Sequence, residues 1–477
     1  MAFTEIGANT LDDSYEISNS LRFNSGDGPK LQITTGTNGD RRQFTFSCWF
    51  KIAQDINDDQ TLFACNDGGH QGHIRINNDM TLNVQISASG SDVVTTNRKF
   101  RDHSAWYHLV VAQDTEQGTA ADRCKIYVNG VLEDSFSAAA YTAEDTDTSW
   151  NSNTELSIGR DVNGDDDPFD GYMSEIVWID GTQYAASTFG ETNNNGVWVP
   201  KELKNITFGT HGFYMQFKQT GTSQNSSGIG ADTSGEDNHF AVSNLAATDI
   251  TTDTPTNNFA TMNPLHLAQY GTGNAATYSE GNLKIGMNSD SASFSTIAPS
   301  KGKWYVEYKQ SENTSDNQGY PLLGISSNHG GNAGDYIKRH TPDGSNYRGT
   351  IGTSVIANAF TDAGNAGTFG FYINLDDEVL IVHKNGSSIM GSGASSGLDW
   401  SGGLTTTNTQ DGHFFFVVHN NSDGSPRYTD EVNFGNPTFS ISSGNSDANG
   451  YGNFEYSPTL SGTEYYALCT KNLAEFG

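Results

Sequence analysis

Trp106-Tyr-His-Leu-Val-Val-Ala112 reads as a strand with two apolar faces. Successive side chains of an extended chain point to opposite sides, so Trp106, His108 and Val110 share one face and Tyr107, Leu109 and Val111 the other. Such a strand must be covered on both sides, which makes it an interior strand rather than an edge. On either side of it come short apolar runs at 44–52, 61–64, 73–76, 82–86, 124–128, 156–158, 172–179 and 212–217, separated by turn-forming residues. That spacing predicts an antiparallel sandwich. Tyr15, Ile17 and Leu21 through Phe23 supply its first strand, and residues 1–14 are a polar arm without periodicity.

Two hairpins sit at equivalent places in the two halves of the chain. Lys125-Ile-Tyr-Val-Asn-Gly-Val131 and Ile381-Val-His-Lys-Asn-Gly-Ser387 each end a strand in Asn-Gly, the pair that supplies the positive φ angles of a two-residue turn. A second set of strands runs through 302–308, 321–326, 368–375, 379–383, 413–419 and 432–434, and Tyr465 to Leu468 reads as a terminal strand completing a sheet. Residues 219–280 are rich in Thr, Ser, Asn, Gly and Asp and read as a polar connector. The expectation is an all-β chain of two antiparallel jelly-roll β-sandwiches: arm 1–14, first sandwich 15–218, connector 219–280, second sandwich 281–477.

Composition agrees with this and removes several functions. Gly 53 against Pro 11, with 26 Phe, 20 Tyr and 7 Trp in 477 residues, suits short strands, many turns and aromatic cores. Asp and Glu number 56 against 25 Lys and Arg, for a net charge of −31, so a phosphate backbone would be repelled and nucleic acid is excluded as a partner. Cys48, Cys65, Cys124 and Cys469 lie sparsely in strand-like runs and read as buried free thiols. No apolar run approaches the ~18 residues of a membrane span, and no charged-then-apolar leader opens the sequence, so neither membrane insertion nor secretion is expected.

Three sets of segments carry the resemblance to known families. Ser104-Ala-Trp-Tyr-His-Leu-Val-Val111, Ile126-Tyr-Val-Asn-Gly130 and Phe169-Asp-Gly-Tyr-Met-Ser-Glu-Ile-Val-Trp-Ile179, in that order, resemble laminin-G-like and concanavalin-like jelly rolls. Gly302-Lys-Trp-Tyr-Val-Glu307, Leu323-Gly-Ile-Ser326, Gly370-Phe-Tyr-Ile-Asn-Leu-Asp376, Lys384-Asn-Gly386 and Asn433-Phe-Gly435 resemble a SPRY-type sandwich. Joined by Thr252-Asp-Thr-Pro-Thr-Asn-Asn-Phe-Ala260 and ending on Tyr466-Ala-Leu-Cys-Thr-Lys-Asn-Leu473, the pair is similar to proteins of the tail-fibre and structural regions of marine phages. The resemblance implies a virion surface protein, a tail fibre, appendage or adhesin, assembled in the host cytoplasm. Its partners would be other virion proteins and a host-surface carbohydrate or receptor, met as a homo-oligomer. A capsid-surface knob or purely structural tail component is the alternative, since no heptad pattern of a fibre shaft precedes the first sandwich.

Glycoside hydrolysis on a concanavalin-like sheet uses Glu-x-Asp-x-x-Glu to set two carboxylates on one face, and no Glu-x-Asp occurs in the chain. The expectation is a non-enzyme, with polysaccharide depolymerase as the catalytic alternative. Gly393-Ala-Ser395-Ser-Gly397 matches a nucleophile elbow only formally, because it lies in a Gly/Ser loop. His70, His73, His103 and His108 lack zinc spacing. Calcium is the better candidate: Asp161, Asn163, Asp165 and Asp167 place hard oxygens at alternate positions of a turn-rich loop, and Asp55-Ile-Asn57-Asp-Asp59 repeats a shorter form. Among the tryptophans, Trp106, Trp178 and Trp304 lie inside strands. Trp400, flanked by turn residues, is the candidate for stacking on a sugar.

Overall fold

The strand Gln43–Ile52 shows how the sequence builds the first sandwich. Phe44, Phe46, Cys48, Phe50 and Ile52 are fully buried in the core between two sheets, while Thr45, Ser47, Trp49 and Lys51 point to the opposite face. Strict alternation of large apolar side chains fixes its register, because a slip of one residue would exchange the faces. In a computed structural model of the chain, residues 15–477 are described except 55, 67–70, 87–90, 163–165, 270–275, 288–290, 311–320, 327–335, 340–348, 352–353, 362–365, 402–412 and 421–427. The arm 1–14 lies outside the described residues.

Two units are formed, residues 12–256 and 257–477. In the first, one sheet runs in the order Val131–Leu132, Cys124–Val128, Tyr107–Asp114, Gln43–Ile52, Gly171–Asp180, Ser20–Phe23, Ile250–Thr251, with Phe213–Met215 also paired to Gly171–Asp180. The facing sheet runs Phe136–Ala139, Val93–Lys99, Thr81–Gln85, Gln71–Ile76, Gln60–Asn66, Glu155–Ile158, Lys30–Thr34, Ala241–Ser243. All pairings are antiparallel, and Tyr107–Asp114 is an interior strand with both faces buried beyond Tyr107, as its two apolar faces require. Between the sheets Phe44, Phe63, Trp150 and Trp178 form a continuous aromatic cluster with ring centroids 4.7–5.6 Å apart. Each such pair adds about 0.5–1.5 kcal/mol to the burial of its rings.

In the second unit one sheet runs Met262–Gln269, Ser291–Ser295, Phe415–Asn420, Pro321–Ser326, Tyr336–Arg339, Gly349–Ile351, Ser354–Ile356. The other runs Thr277–Ser279, Lys284–Met287, Tyr428–Asn433, Lys303–Gln310, Gly367–Asn374, Val379–Lys384, Ser387–Ser388, with Leu398–Asp399 paired to Val379–Lys384. Trp304, Val306, Tyr308, Phe369, Phe371 and Val432 fill the space between them. Both Asn-Gly hairpins are present, with φ 47° and 78° at Asn129 and Gly130 and 48° and 77° at Asn385 and Gly386. The four cysteines are buried free thiols, and burial pushes Cys124 and Cys469 up to about 12. No helix of the described residues is long and apolar enough to cross a membrane.

Two expectations about the chain's organisation are corrected. The stretch 219–280 is divided between the units instead of linking them. Ile229, Phe240 and Leu245 enter the first core, and Ala241–Ser243 and Ile250–Thr251 close one edge of each first-unit sheet. Asp253 is fully buried, paired with Lys51 and accepting a hydrogen bond from Trp106 Nε1 at 3.1 Å. The terminal segment is corrected as well. Tyr466 and Cys469 make single bridges, to Trp304 and Phe259, and the chain then turns into the helix Thr470–Phe476.

Candidate functional site

The two acidic loops of the first unit meet on one guanidinium. Arg75 Nη1 donates to Asp167 Oδ2 at 2.9 Å, and Arg75 Nη2 lies 2.8 Å from Asp59 Oδ2. Backbone bonds close the loop, from Asp161 N–H to Asp166 O at 3.0 Å and from Thr61 N–H to Asp167 O at 2.9 Å. Burial raises the Asp167 carboxyl, Arg75 opposes this, and the neighbouring carboxylates of Asp59 and Asp161 push it further up. Asp161 is buried, whereas Asn163 and Asp165 lie outside the described residues. Among the described residues, no three His, Cys, Asp or Glu side chains are grouped to hold a metal ion.

Trp400 is not a surface ring. It is 2% exposed, tilted against Phe414 at 5.9 Å, and part of the second core. The cause is local: Leu398–Asp399 adds to the strand Val379–Lys384, and Trp400 N–H bonds Glu378 O at 3.0 Å, so the ring turns inward. Trp178 and Trp304 are core residues as expected, and Ser395 is an exposed turn residue followed by a strand instead of the helix that a nucleophile elbow needs.

A serine and a histidine do come together on the outer face of the first sheet. Ser47 Oγ lies 2.9 Å from His108 Nε2, and Trp198 Nε1 donates to His108 Nδ1 at 3.0 Å. An indole nitrogen can only donate, so Nδ1 must be the unprotonated nitrogen, and the proton of the neutral ring sits on Nε2. His108 therefore donates to Ser47, the reverse of what a general base does for a nucleophile. Burial holds the imidazole down to about 3, keeping it neutral. The adjoining void, lined by Trp49, Glu175 and Phe189 among others, is about 10 Å³, room for about one water molecule. Nearby, Glu175 is buried against the hydroxyls of Tyr15 and Tyr214. The cluster fixes the cover of this sheet and offers no space to a substrate.

The second unit carries its polar chemistry on the outer face of the sheet containing Lys303–Gln310. Glu307 is fully buried and takes four hydrogen bonds: Tyr305 Oη at 3.0 Å and Tyr456 N–H at 2.8 Å on one oxygen, Asn433 Nδ2 and Glu455 N–H, both at 3.0 Å, on the other. Asp447 takes four more, from the N–H groups of Asn449, Tyr451 and Ala467 and from Asn472 Nδ2, at 2.7–3.0 Å. Burial raises both carboxyls, and these hydrogen bonds pull them back. Glu307 ties Glu455 and Tyr456 to the sheet and Asp447 braces 447–472 internally, with Phe454 and Tyr465 covering Tyr305 and Tyr372. Beside this cover opens a cleft of about 300 Å³ lined by Gly302, Lys303, Asp376, Glu464, Tyr466 and Phe476, with Thr463 at its rim. Sequence reading passed over this cluster. The available signal was Glu307 itself, a lone carboxylate between Val306 and Tyr308 in an apolar strand.

Residues 25–187 match a family model described as the Concanavalin A-like lectin/glucanases superfamily, Laminin_G_3. No curated protein matches the chain by sequence. Among solved structures, a putative carbohydrate binding protein from Bacteroides ovatus is 15% identical, covering 50% of this chain and 60% of that one with a TM-score of 0.33. The SPRY domain of human HERC1 is 10% identical, covering 36% of this chain and 96% of that one at a TM-score of 0.26. Mouse laminin alpha1 chain domains LG4-5 are 10% identical, covering 96% and 89% at 0.28. At these identities the likeness is one of fold. The first unit is a lectin-like sandwich of the concanavalin and laminin-G kind, and SPRY domains are among the structural neighbours of the chain.

Proposed function

We propose that this chain is a surface protein of a bacteriophage particle, a tail fibre, appendage or adhesin, that contacts host-surface glycans without cleaving them. The observation that carries the binding half of this reading is the lectin-type sandwich over the residues that match the lectin and glucanase superfamily model. Its non-catalytic half rests on the sequence, which has no Glu-x-Asp-x-x-Glu to set a glycosidase's two carboxylates on one sheet face. The particle assignment rests on the resemblance of the paired sandwiches to marine-phage structural proteins. Fold alone does not select a ligand. Repetition of the chain around a symmetric appendage would raise the avidity of a weak contact by effective concentration.

The same reading gives the loop 161–167 a calcium ion that orders one rim of the first unit. The ligands would be Asp161, Asn163, Asp165 and Asp167, the last of which also pairs with Arg75. Mass spectrometry of purified particles tests the particle assignment, with the chain expected as a stoichiometric component. Its absence from particles contradicts that assignment.

A further inference from the structure

We propose that the cleft beside Tyr466 and Phe476 in the second unit is a saccharide site for a single neutral sugar ring, an inference that rests on the glycan-binding reading above. The two rings stack at 3.8 Å with planes 17° apart, and both are partly exposed at the cleft. A pyranose presents an apolar C–H face that an aromatic ring of this kind accepts. The stack is built in advance of any ligand. Tyr466 N–H bonds Lys303 O and Tyr305 N–H bonds Tyr466 O, both at 2.9 Å, and Phe476 ends the helix whose Asn472 is anchored on Asp447. Gly302, at φ 88°, lets the backbone pass beneath, since a Cβ there would stand 2.7 Å from Phe476 O. Preorganised side chains lose little entropy on binding.

The polar groups around the stack are those a polyhydroxyl compound needs. Lys303 Nζ, the Glu464 carboxylate and the Thr463 hydroxyl have no side-chain partner among the described residues. Asp376 spends one oxygen on Gly302 N–H at 2.8 Å and keeps the other. The cleft thus offers acceptors for the paired hydroxyls of a sugar and an ammonium donor for a ring or hydroxyl oxygen. Two carboxylates disfavour an anion, and Lys303 disfavours a simple cation, which leaves a neutral ligand with both donors and acceptors. About 300 Å³ is at the lower limit of small-molecule pockets, so one ring fits and an extended oligosaccharide could engage by one residue.

The test uses the full chain and a panel of methyl glycosides of glucose, galactose, mannose and N-acetylglucosamine, with saturation-transfer NMR and titration at millimolar sugar. At least one should bind, and Glu464→Gln and Lys303→Met, both at the cleft rim, should each weaken it about tenfold, the worth of one charge-assisted hydrogen bond. Tyr466→Ala should abolish it, and unchanged melting temperatures of the rim variants exclude misfolding as the reason. Glycan capture that survives all three substitutions overturns this site while leaving the glycan-binding reading intact. Failure of the chain to bind any glycoside or any host-surface polysaccharide overturns both. Preferential binding of tetramethylammonium, lost in Tyr466→Ala, overturns the saccharide assignment in favour of a cationic ligand.

Discussion

Both units cover the outer face of one sheet with irregular chain, and they use different chemistry to do it. In the first, Val110, Ala112, Val177 and Ile179 lie under Phe189, Phe208, Trp198 and Leu203, and the polar string Trp198–His108–Ser47 runs through an otherwise apolar contact. In the second, Tyr305 and Tyr372 lie under Phe454 and Tyr465; Glu307 ties the covering chain to the sheet through the N–H groups of Glu455 and Tyr456, and Asp447 braces the cover from within by four hydrogen bonds. Apolar packing gains only by filling volume, so the first cover leaves a void of about 10 Å³. Hydrogen bonds fix a backbone without filling the space around it, so the second leaves a cleft of about 300 Å³. An open site is therefore expected where carboxylates hold the cover.

The most damaging way to break this contrast is Glu307→Gln. Either orientation of the amide sets its NH2 group against a backbone N–H of 455 or 456, leaving buried donors unpaired at a cost of about 3–5 kcal/mol. Denaturant unfolding should show the second unit losing that amount while the first is unaffected.

Asp430 is the next probe. Its carboxyl lies between the sheets, bonded by Gln310 Nε2 at 2.9 Å, and burial raises it to about 7, opposed by that bond. A carboxyl with a raised folded value binds more protons folded than unfolded. Stability should therefore be highest below about pH 4 for this group and fall as the pH rises to about 7. Asp430→Asn should remove this fall and stabilise the second unit at pH 8 by about 2–3 kcal/mol. The new amide could also donate to Gln310 Oε1 or Tyr308 Oη, neither of which has a partner among the described residues. Equal pH dependence in wild type and variant would contradict the assignment.

In the first unit the matching truncation is Trp198→Ala, which uncovers His108 and should cost about 2 kcal/mol, less than a fully buried tryptophan because the ring is partly exposed. Nitrogen chemical shifts should find His108 protonated at Nε2 in the wild type. Protonation at Nδ1 would reopen serine chemistry at Ser47.

Much of this architecture was legible in the sequence. Interior strands such as Cys124–Val128 and Pro321–Ser326 have the bounds their apolar runs suggest, and both Asn-Gly turns form. What escaped is where isolated residues do the work. Ile229, Phe240 and Leu245 are single apolar residues in a polar stretch, and the edge strands they accompany are two and three residues long, too short to show a period. Trp400 is drawn inward by a two-residue strand that its turn-like neighbours concealed. Glu307 acts through partners 2–149 residues away and Asp447 through partners 2–25 residues away, and no local pattern reports the longer of those separations.

The smallest effect is expected from calcium. At about tenfold over its dissociation constant the ion would stabilise the first unit by about 1.4 kcal/mol, a shift of about 2–4 °C in a domain of this size. Chelation should remove that shift from the first transition alone, and Asp161→Asn with Asp165→Asn should make the protein indifferent to chelator. A first transition that ignores calcium in the wild type would leave the loop an acidic turn held by Arg75.

The central claim, binding without cleavage, is tested most directly by incubating the isolated chain with purified host-surface polysaccharide and measuring retention and reducing ends in the same sample. The account predicts that the polysaccharide is retained by the protein with its chain length unchanged over time. Release of new reducing ends, in proportion to protein and time, would contradict it and make the chain a depolymerase.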